Sequence, residues 1–349
     1  MGIRSLLGYG RCRAPRWQNL RCHRSTERQR RTVGLSSFPT RRKFLQLGAT
    51  GTLIGALAVV GDGTILAANQ PQLVSIEVPL PRLPEAWDGF RIAQLADFHY
   101  DDYFSVIPLR KAVDMINPMQ PDLVVLTGDF VTSPARKLTR SIAIRSAKAI
   151  EPCAPLLAQL RAPSGIMAVL GNHDVVADSA HIIAVLQSYG ISVLRNRCVP
   201  FERNGKRLWV SGVDDVLEGK ADLALATRNI PPGEPVILLA HEPDWADYVA
   251  LHHPVDLQLS GHSHGGQIRL PLIGPPYLPK LARKYPWGLR QIGPLTLYTN
   301  SGIGTIGVPM RLNCPPEVTL IVLRATGASG MLKGRMRPKV SAKLEYSLR

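Results

Sequence analysis

Five short apolar runs of this chain are each followed by side chains that bind metal ions. RIAQLA precedes Asp97 and His99, LVVLT precedes Asp129, IMAVL precedes Asn172, His173 and Asp174, VILLA precedes His241, and LQLS precedes His262 and His264. Continuous apolar runs of this length are typical of buried parallel strands, and open α/β sheets bind ligands at the carboxyl ends of their strands. The pattern therefore predicts one cluster of oxygen and imidazole ligands that is large enough for two metal ions.

The same runs alternate with segments of helical periodicity between Val74 and Arg324. Strands are predicted at 91–96, 123–127, 166–170, 208–212, 236–240, 257–260, 295–299 and 318–323, and helices at 108–116, 142–160, 179–189, 220–227 and 244–252. Repeated βα units followed by strands are typical of a layered α/β domain built on one sheet or on a pair of sheets. We therefore predict one domain at 74–324, between a basic leader at 1–68 and a basic tail at 325–349.

The formal net charge of +16 lies at the two ends of the chain. Residues 1–43 hold 11 Arg and one Lys against the single acid Glu27, and residues 331–349 hold six basic residues against Glu345. The body between them is close to neutral, so nucleic acid is not expected as its partner. The Arg-rich residues 1–36 are predicted to be disordered. They are a long leader, an untranslated stretch upstream of a later start, or an RNA-binding arm.

Residues 40–46, TRRKFLQ, precede a weakly apolar stretch, Leu47 to Val60, and resemble a twin-arginine export signal. The stretch is shorter than the roughly 18 to 20 apolar residues that a confident membrane span needs. The alternative to an export signal is an ordinary basic leader followed by a core helix. Cleavage near Ala67-Ala68 and an uncleaved anchor are both open. The expectation is an exported protein of the periplasm or cell envelope, with the twin-arginine translocase as its partner during export.

The ligand types suit a pair of divalent or mixed-valence ions. Imidazole favours ions such as Zn and Fe, whereas carboxylates suit Mn. Asp129 follows Gly128 in a sharp turn, from which its carboxylate can bridge two cations. With Asp129 shared, seven candidates give four ligands to each ion and leave positions for water and substrate; they are Asp97, His99, Asp129, Asn172, His241, His262 and His264.

The ordered motifs Asp97-x-His99, Gly128-Asp129, Gly171-Asn172-His173-Asp174, His241 and Gly261-His262-x-His264 resemble the five-block signature of calcineurin-like metallophosphoesterases. The resemblance implies an α/β fold, a four-layer α/β/β/α sandwich with a dinuclear metal site at the strand ends. It implies one metal held by Asp97, His99, Asp129 and His264, and a second held by Asp129, Asn172, His241 and His262. His173 is implied to face the phosphoryl group without binding metal. Residues 261–267 and 301–317 look most like the small exported or membrane-associated bacterial phosphodiesterases of this family.

The expected activity is hydrolysis of a phosphodiester or pyrophosphate bond, on a cell-envelope substrate, by a metal-bound hydroxide. His173 would stabilise or protonate the leaving group, and Asp174 would either orient His173 or cap a turn. Asn172 is the third candidate catalytic residue, since it would contact both a metal and a phosphate oxygen. The second block lacks the further Asp and the Arg-Gly pair of the Ser/Thr protein phosphatases, which argues against a phosphoprotein substrate. A metal-stabilised binding protein of the cell wall or envelope, without significant turnover, is the alternative.

A loop at 271–288 combines basic and aromatic residues after the His262 and His264 motif. Lys280, Arg283 and Tyr285 are its candidate substrate-binding residues, because such residues suit an anionic lipid or polymer near a membrane or cell-wall surface. A solvated surface loop is the alternative.

Overall fold

The computed structural model describes residues 67–134 and 139–326, together with 41–43, 45–46 and 50–51. The chain divides into two units, Met1–Gly51 and Thr52–Arg349, and the fold described here is that of the second unit. The leader and the tail lie almost wholly outside the described residues, so the export signal, its cleavage and the domain limits stay predictions. Among the described residues, the structure has no helix of the length and apolarity that a membrane crossing requires.

Two six-stranded sheets form the centre of the domain. The strands are β1 (Gln72–Leu80), β2 (Arg91–Leu95), β3 (Leu123–Thr127), β4 (Ile166–Val169), β5 (Ile191–Val193), β6 (Arg197–Arg203), β7 (Lys206–Gly212), β8 (Val236–Leu239), β9 (Leu257–Ser260), β10 (Gly288–Ile292), β11 (Leu295–Thr299) and β12 (Glu317–Ala325). The first sheet has the order β1-β12-β2-β3-β4-β5, and the second has the order β10-β11-β9-β8-β7-β6. Strands β2 to β5 run parallel, as do β7, β8, β9 and β11.

The two sheets pack face to face through alternate residues of their strands. In β3, Val125 points into the apolar layer between the sheets, where it meets residues of the second sheet such as Leu239 and Leu259. Its neighbours Val124 and Leu126 point to the opposite side, into the layer beneath the helices. Since successive side chains of a strand face opposite ways, a strand covered on both faces must be apolar throughout. This is why β3 reads LVVLT and is buried at every position.

Helices cover the outer face of each sheet. They are α1 (Val106–Ile116), α2 (Arg140–Ala147), α3 (Ile150–Leu157), α4 (Asn172–Ser188), α5 (Leu223–Thr227) and α6 (Ala246–His252). The first four contribute residues to the core against the first sheet, and α5 and α6 contribute to the core against the second. The layers therefore follow the order α/β/β/α, and the predicted fold class is confirmed.

The helix predicted at 142–160 is wrong, because the structure has two helices there, α2 and α3. Proline lacks the backbone N–H and is tolerated in the first turn of a helix, so Pro152 allows a new helix from Ile150 but not a continuous one. The helix predicted at 179–189 begins earlier, at Asn172, and carries a kink at Asp178 (φ −162°, ψ 88°). Its first turn therefore belongs to the motif that follows β4.

Candidate metal centre

The loops that follow β2, β3, β4, β8 and β9 meet at one edge of the sandwich. The backbone N–H of His262, after β9, donates to Oδ1 of Asp97, after β2, over 2.8 Å. Nδ1 of His241, after β8, lies 2.7 Å from the carbonyl oxygen of Thr127 at the end of β3. These contacts join the two sheets, so strand ends from both sheets form a single site.

The predicted metal ligands form two groups that meet at Asp129. Ligand atoms of Asp97, His99 and His264 lie within 4.8 Å of one another, and so do those of Asp129, His241 and His262. Oδ2 of Asp129 is 3.5 Å from Nε2 of His99 and 3.2 Å from Nε2 of His241. One carboxylate therefore borders both groups, which is the arrangement that a shared ligand of two ions requires.

The orientation of two imidazoles fits a cation between them. Nδ1 of His241 and Nε2 of His262 each face a backbone carbonyl, that of Thr127 at 2.7 Å and that of Lys280 at 2.9 Å. A carbonyl only accepts, so each ring places its proton there and turns its other nitrogen inward. Those two inward nitrogens are 3.2 Å apart. Two lone pairs at this distance repel each other unless a cation or proton lies between them.

Burial keeps several of these rings neutral. It lowers the pKa of His99 and of His262 to about 3, and the pKa of His264 is held well below its usual value by burial and by His99. Neutral imidazole is the form that ligates metal. Burial also raises the pKa of Asp97 to about 7. A nearby cation would favour the charged form of Asp97, which is the form that ligates metal.

Two buried oxygens in this cluster have no hydrogen-bond partner among the described residues: Oδ2 of Asp97 and Oδ1 of Asn172. Asn172 is the first residue of α4, and its neighbour His173 donates a backbone N–H to Oδ1 of Asp129 over 3.0 Å. Asn172 therefore stands beside the shared carboxylate. Unpaired buried acceptors are costly, and a bound cation removes the cost.

The backbone of the cluster is strained where the ligands are. Five of them have positive φ: Asp97 (51°), His99 (40°), Asp129 (56°), His262 (67°) and His264 (51°). Residues other than glycine rarely adopt a positive φ, and such backbone strain concentrates at functional sites. Glycines make room for the carboxylates, since a Cβ on Gly171 would lie 2.2 Å from Oδ1 of Asp129 and one on Gly302 would lie 2.7 Å from Cβ of Asp97.

His173 is held at the side of the cluster by Ser133. Its Nδ1 lies 3.0 Å from the backbone nitrogen of Ser133, 2.9 Å from the hydroxyl and 3.2 Å from the carbonyl oxygen. A neutral ring that accepts the N–H carries its proton on Nε2, and a protonated ring that donates to the carbonyl presents Nε2–H as well. His173 is half-buried, and its ring meets that of His99 edge to face at 4.8 Å between centroids.

Asp174 supports the loop that carries Asp129. Its Oδ1 accepts from the backbone N–H of Phe130 (2.9 Å) and of Val131 (3.1 Å), and its Oδ2 accepts from the backbone N–H of Gly171 (3.0 Å), the residue before α4. The predicted contact that would let Asp174 orient His173 is not among these bonds. Ser133 holds that ring, and a catalytic role of Asp174 stays a prediction.

Sequence reasoning missed Arg311, which lies buried beneath the cluster. Its guanidinium donates to the carbonyl oxygens of Gly304 (2.6 Å), Ser301 (3.0 Å) and Cys314 (3.2 Å). The backbone N–H of Gly304 in turn donates to the carbonyl of Asp97 over 2.8 Å. The guanidinium thereby fixes the loop against which Asp97 rests. A single Arg in a loop gives no sequence signal for such a role.

The three predicted substrate-binding residues are placed differently from the ligands. Lys280 reaches the cluster through its carbonyl, which holds His262, while its side chain is exposed. Arg283 is exposed, and its backbone N–H donates to Asp244. The hydroxyl of Tyr285 donates to Asp247 of α6, and its ring packs on the core of the second sheet. The contacts of Tyr285 are therefore with α6 and that core rather than with the metal ligands.

Comparison with known proteins agrees with this geometry. Residues 90–266, which contain all seven candidate ligands, match the calcineurin-like phosphoesterase family. The chain is 32% identical over 293 residues to "Uncharacterized metallophosphoesterase YkuE" of Bacillus subtilis, covering 82% of this chain and 98% of that protein. It is 34% identical over 288 residues to "Phosphodiesterase YaeI" of Escherichia coli, covering 81% and 99%.

Two further similarities come from Danio rerio. "Transmembrane protein with metallophosphoesterase domain" is 33% identical over 276 residues, covering 75% of this chain and 59% of that protein. The crystal structure of a dimetal phosphatase has 15% sequence identity and a TM-score of 0.37, covering 62% of this chain and 88% of that one. The family match and the near full-length relatives together show that the chain belongs to the calcineurin-like phosphoesterases, a family that depends on dinuclear metal centres, and is a metallophosphoesterase.

Proposed function

We propose that this metallophosphoesterase hydrolyses a phosphodiester or pyrophosphate bond in a substrate of the cell envelope. The observation that carries the proposal is the pair of ligand groups that border Asp129, with the ring of His173 beside them, held at Nδ1 by Ser133. Two bound ions would neutralise phosphate oxygens and make a coordinated water acidic near neutral pH.

The residues of the chain supply the remaining chemistry. Nε2–H of His173 is available to hold, and then to protonate, the oxygen that leaves phosphorus. Ser133 keeps this nitrogen available in both charge states of the ring. Oδ1 of Asn172 would complete the second metal, together with Asp129, His241 and His262. The half-buried positions of Asn172 and His173 leave a substrate access to both.

Two observations support the finer parts of this proposal. The relative of Escherichia coli is named a phosphodiesterase and aligns over almost its whole length, which favours a diester. The TRRKFLQ sequence and the apolar stretch after it favour export to the envelope. The two metal ions are expected to be Mn, Fe or Zn.

The test is a hydrolysis panel of model monoesters, diesters and nucleotide-sugar pyrophosphates, each run with Mn, Zn, Fe and Mg. We expect metal-dependent cleavage of a diester or pyrophosphate, and its loss on chelation or in Asp129→Ala. His173→Ala should retain bound metal and lose about 100-fold or more in kcat, the usual contribution of general acid catalysis. The matched control is His252→Ala, an exposed histidine of α6.

Two outcomes would decide against the proposal. Full metal occupancy without turnover of any phosphoester would favour the metal-stabilised binding protein. Equal turnover by wild type and His173→Ala would remove His173 from the mechanism.

A further inference from the structure

The geometry points to a docking surface for an anionic phospholipid bilayer around the mouth of the metal centre. Three segments form this surface, which we call the rim: residues 101–107, 265–281 and 304–310. The inference rests on the proposed function in one respect, since it names the bilayer as the partner that presents the substrate to the same site.

The rim exposes large apolar side chains at its tips. The exposed fraction is 110% for Leu272, 76% for Ile273, 72% for Tyr277, 81% for Tyr103, 48% for Phe104 and 49% for Val308. Soluble proteins seldom expose apolar side chains in contiguous groups, and such groups mark interaction surfaces. The tip at Leu272 and Ile273 projects fully into solvent, as expected for side chains that enter another phase.

All three rim segments are rooted at metal ligands. Segment 265–281 starts next to His264 and returns to the cluster where the Lys280 carbonyl faces Nε2 of His262 at 2.9 Å. Segment 304–310 starts where Gly304 donates to the carbonyl of Asp97. Segment 101–107 starts two residues after His99. The three rim segments therefore begin beside the metal centre, and segment 265–281 also returns to it.

Hydrogen bonds and a cleft join the segments to one another. The side chain of Gln267 donates to the carbonyls of Ile306 (3.1 Å) and Val308 (3.0 Å). Phe104 and Pro309 line one small surface cleft. The three segments that carry the apolar tips are therefore joined to one another.

The charge of this region selects the partner. No Asp or Glu occurs from Leu257 to Pro316, whereas the same stretch holds six basic residues: Arg269, Lys280, Arg283, Lys284, Arg290 and Arg311. The acids of the rim, Asp101 and Asp102, lie in the separate segment after His99, so the basic character belongs to segment 265–281 and the residues that follow it. Arg311 is buried and Lys284 pairs with Asp247, but Lys280 and Arg283 are exposed in or next to the rim. Apolar tips beside basic side chains match a bilayer interface, where acyl chains lie beneath anionic headgroups.

The position at which the polypeptide enters the domain supports the same partner. Ala68 and Asn69 line the cleft that Phe104 and Pro309 share, and Lys111 donates to the carbonyl of Asn69 over 2.8 Å. The apolar stretch that ends at Val60 precedes this position by a few residues. If that stretch is retained in a membrane, the eight residues after Val60, up to Ala68, can span at most about 28 Å, so the entry to the domain stays near the same bilayer.

The test measures insertion of the rim in the full chain. Ile273→Trp adds an indole at the tip, and Leu251→Trp adds one on α6, at a side chain that is also 81% exposed. Both variants are mixed with vesicles of phosphatidylglycerol and phosphatidylcholine that carry brominated acyl chains, which quench indoles within the bilayer. Because the leader is identical in both, any binding through it contributes equally.

We expect the vesicles to quench about half or more of the fluorescence added by Ile273→Trp and almost none of that added by Leu251→Trp, since interfacial side chains reach about 5–10 Å into the bilayer. Equal quenching in the two variants would overturn the inference. Tyr277→Trp repeats the measurement if Ile273→Trp does not fold.

A second measurement separates this inference from the proposed function. In the double variant Leu272→Asp with Ile273→Asp, the rate on a diester embedded in vesicles, divided by the rate on a soluble diester, should fall about tenfold. An unchanged ratio would contradict docking while leaving hydrolysis intact. If Ile273→Trp is quenched by the vesicles while the wild-type protein cleaves no phosphoester, the proposed function is contradicted and docking stays in place.

Discussion

Gly171→Ala tests the inference that activity depends on the position of the Asp129 carboxylate, which occupies the space that a Cβ at residue 171 would fill. A Cβ on Gly171 would lie 2.2 Å from Oδ1, 2.7 Å from Cγ and 2.7 Å from the backbone nitrogen of Asp129, whereas ordinary contacts begin near 3.4 Å. The carboxylate must therefore move by about 1 Å, and the backbone that carries it must shift as well; this is several times the roughly 0.2 Å over which ligand distances to a metal vary. The φ of Gly171 is −104°, which alanine adopts readily, so the effect does not come from backbone strain.

The expected cost falls on catalysis more than on folding. A displacement of about 1 Å at a reacting centre costs about 100-fold in rate, or roughly 2.7 kcal/mol of transition-state stabilisation. Since Asp129 borders both ligand groups, the affinity for both ions should fall together. Crowding of this kind lowers the free energy of unfolding by about 1–3 kcal/mol.

The assay combines kcat/KM on the model diester, metal content of the purified protein and urea unfolding. Gly165→Ala is the control, because its Cβ meets nothing within 4 Å while its φ of +87° makes alanine costly by about 1–3 kcal/mol. It should lose stability and keep activity within about twofold. If Gly171→Ala binds two ions with wild-type affinity and keeps wild-type kcat/KM, Asp129 is not the shared ligand.

Three further perturbations test other contacts of the site. Ser133→Ala keeps the backbone N–H and loses the hydroxyl that lies 2.9 Å from Nδ1 of His173. Because one hydrogen bond to the ring is lost, kcat should fall about threefold to tenfold, with KM and metal content unchanged. Arg311→Met leaves buried carbonyls unpaired, so the free energy of unfolding should fall by about 3–5 kcal/mol and metal affinity by about 10- to 100-fold. Chelation should lower the melting temperature of the wild type, because each site at 100-fold its Kd adds about 2.7 kcal/mol.

Each of these has a control or a contradicting result. Pro134→Ala, at the exposed residue after Ser133, should leave kcat unchanged. If Arg311→Met unfolds at the wild-type urea concentration, the guanidinium does not organise the loop under Asp97. Identical melting temperatures with and without chelator, in protein shown to have bound metal, would mean that the ions bind folded and unfolded chains alike.

The sequence was sufficient to predict elements that face the core on both sides. The bounds predicted for β3, β9 and β11 agree with the structure residue for residue, because each is an apolar run ended by a glycine or an asparagine. Strands β1, β5, β6 and β10 were not predicted. In β6 the sequence RCVPFER mixes charge and apolar residues without regular alternation, since this strand lies at the edge of its sheet and exposes much of its length.

By itself the sequence determined the chemistry of the site. It placed Asp, Asn and His after buried strands, so the ligand types and the number of ions they could hold followed from residue identity and strand position alone. Only the tertiary structure decided how each ligand is aimed. The Thr127 and Lys280 carbonyls that turn His241 and His262 inward, and the Ser133 backbone that holds His173, are main-chain groups, which every residue carries and which leave no pattern in a sequence.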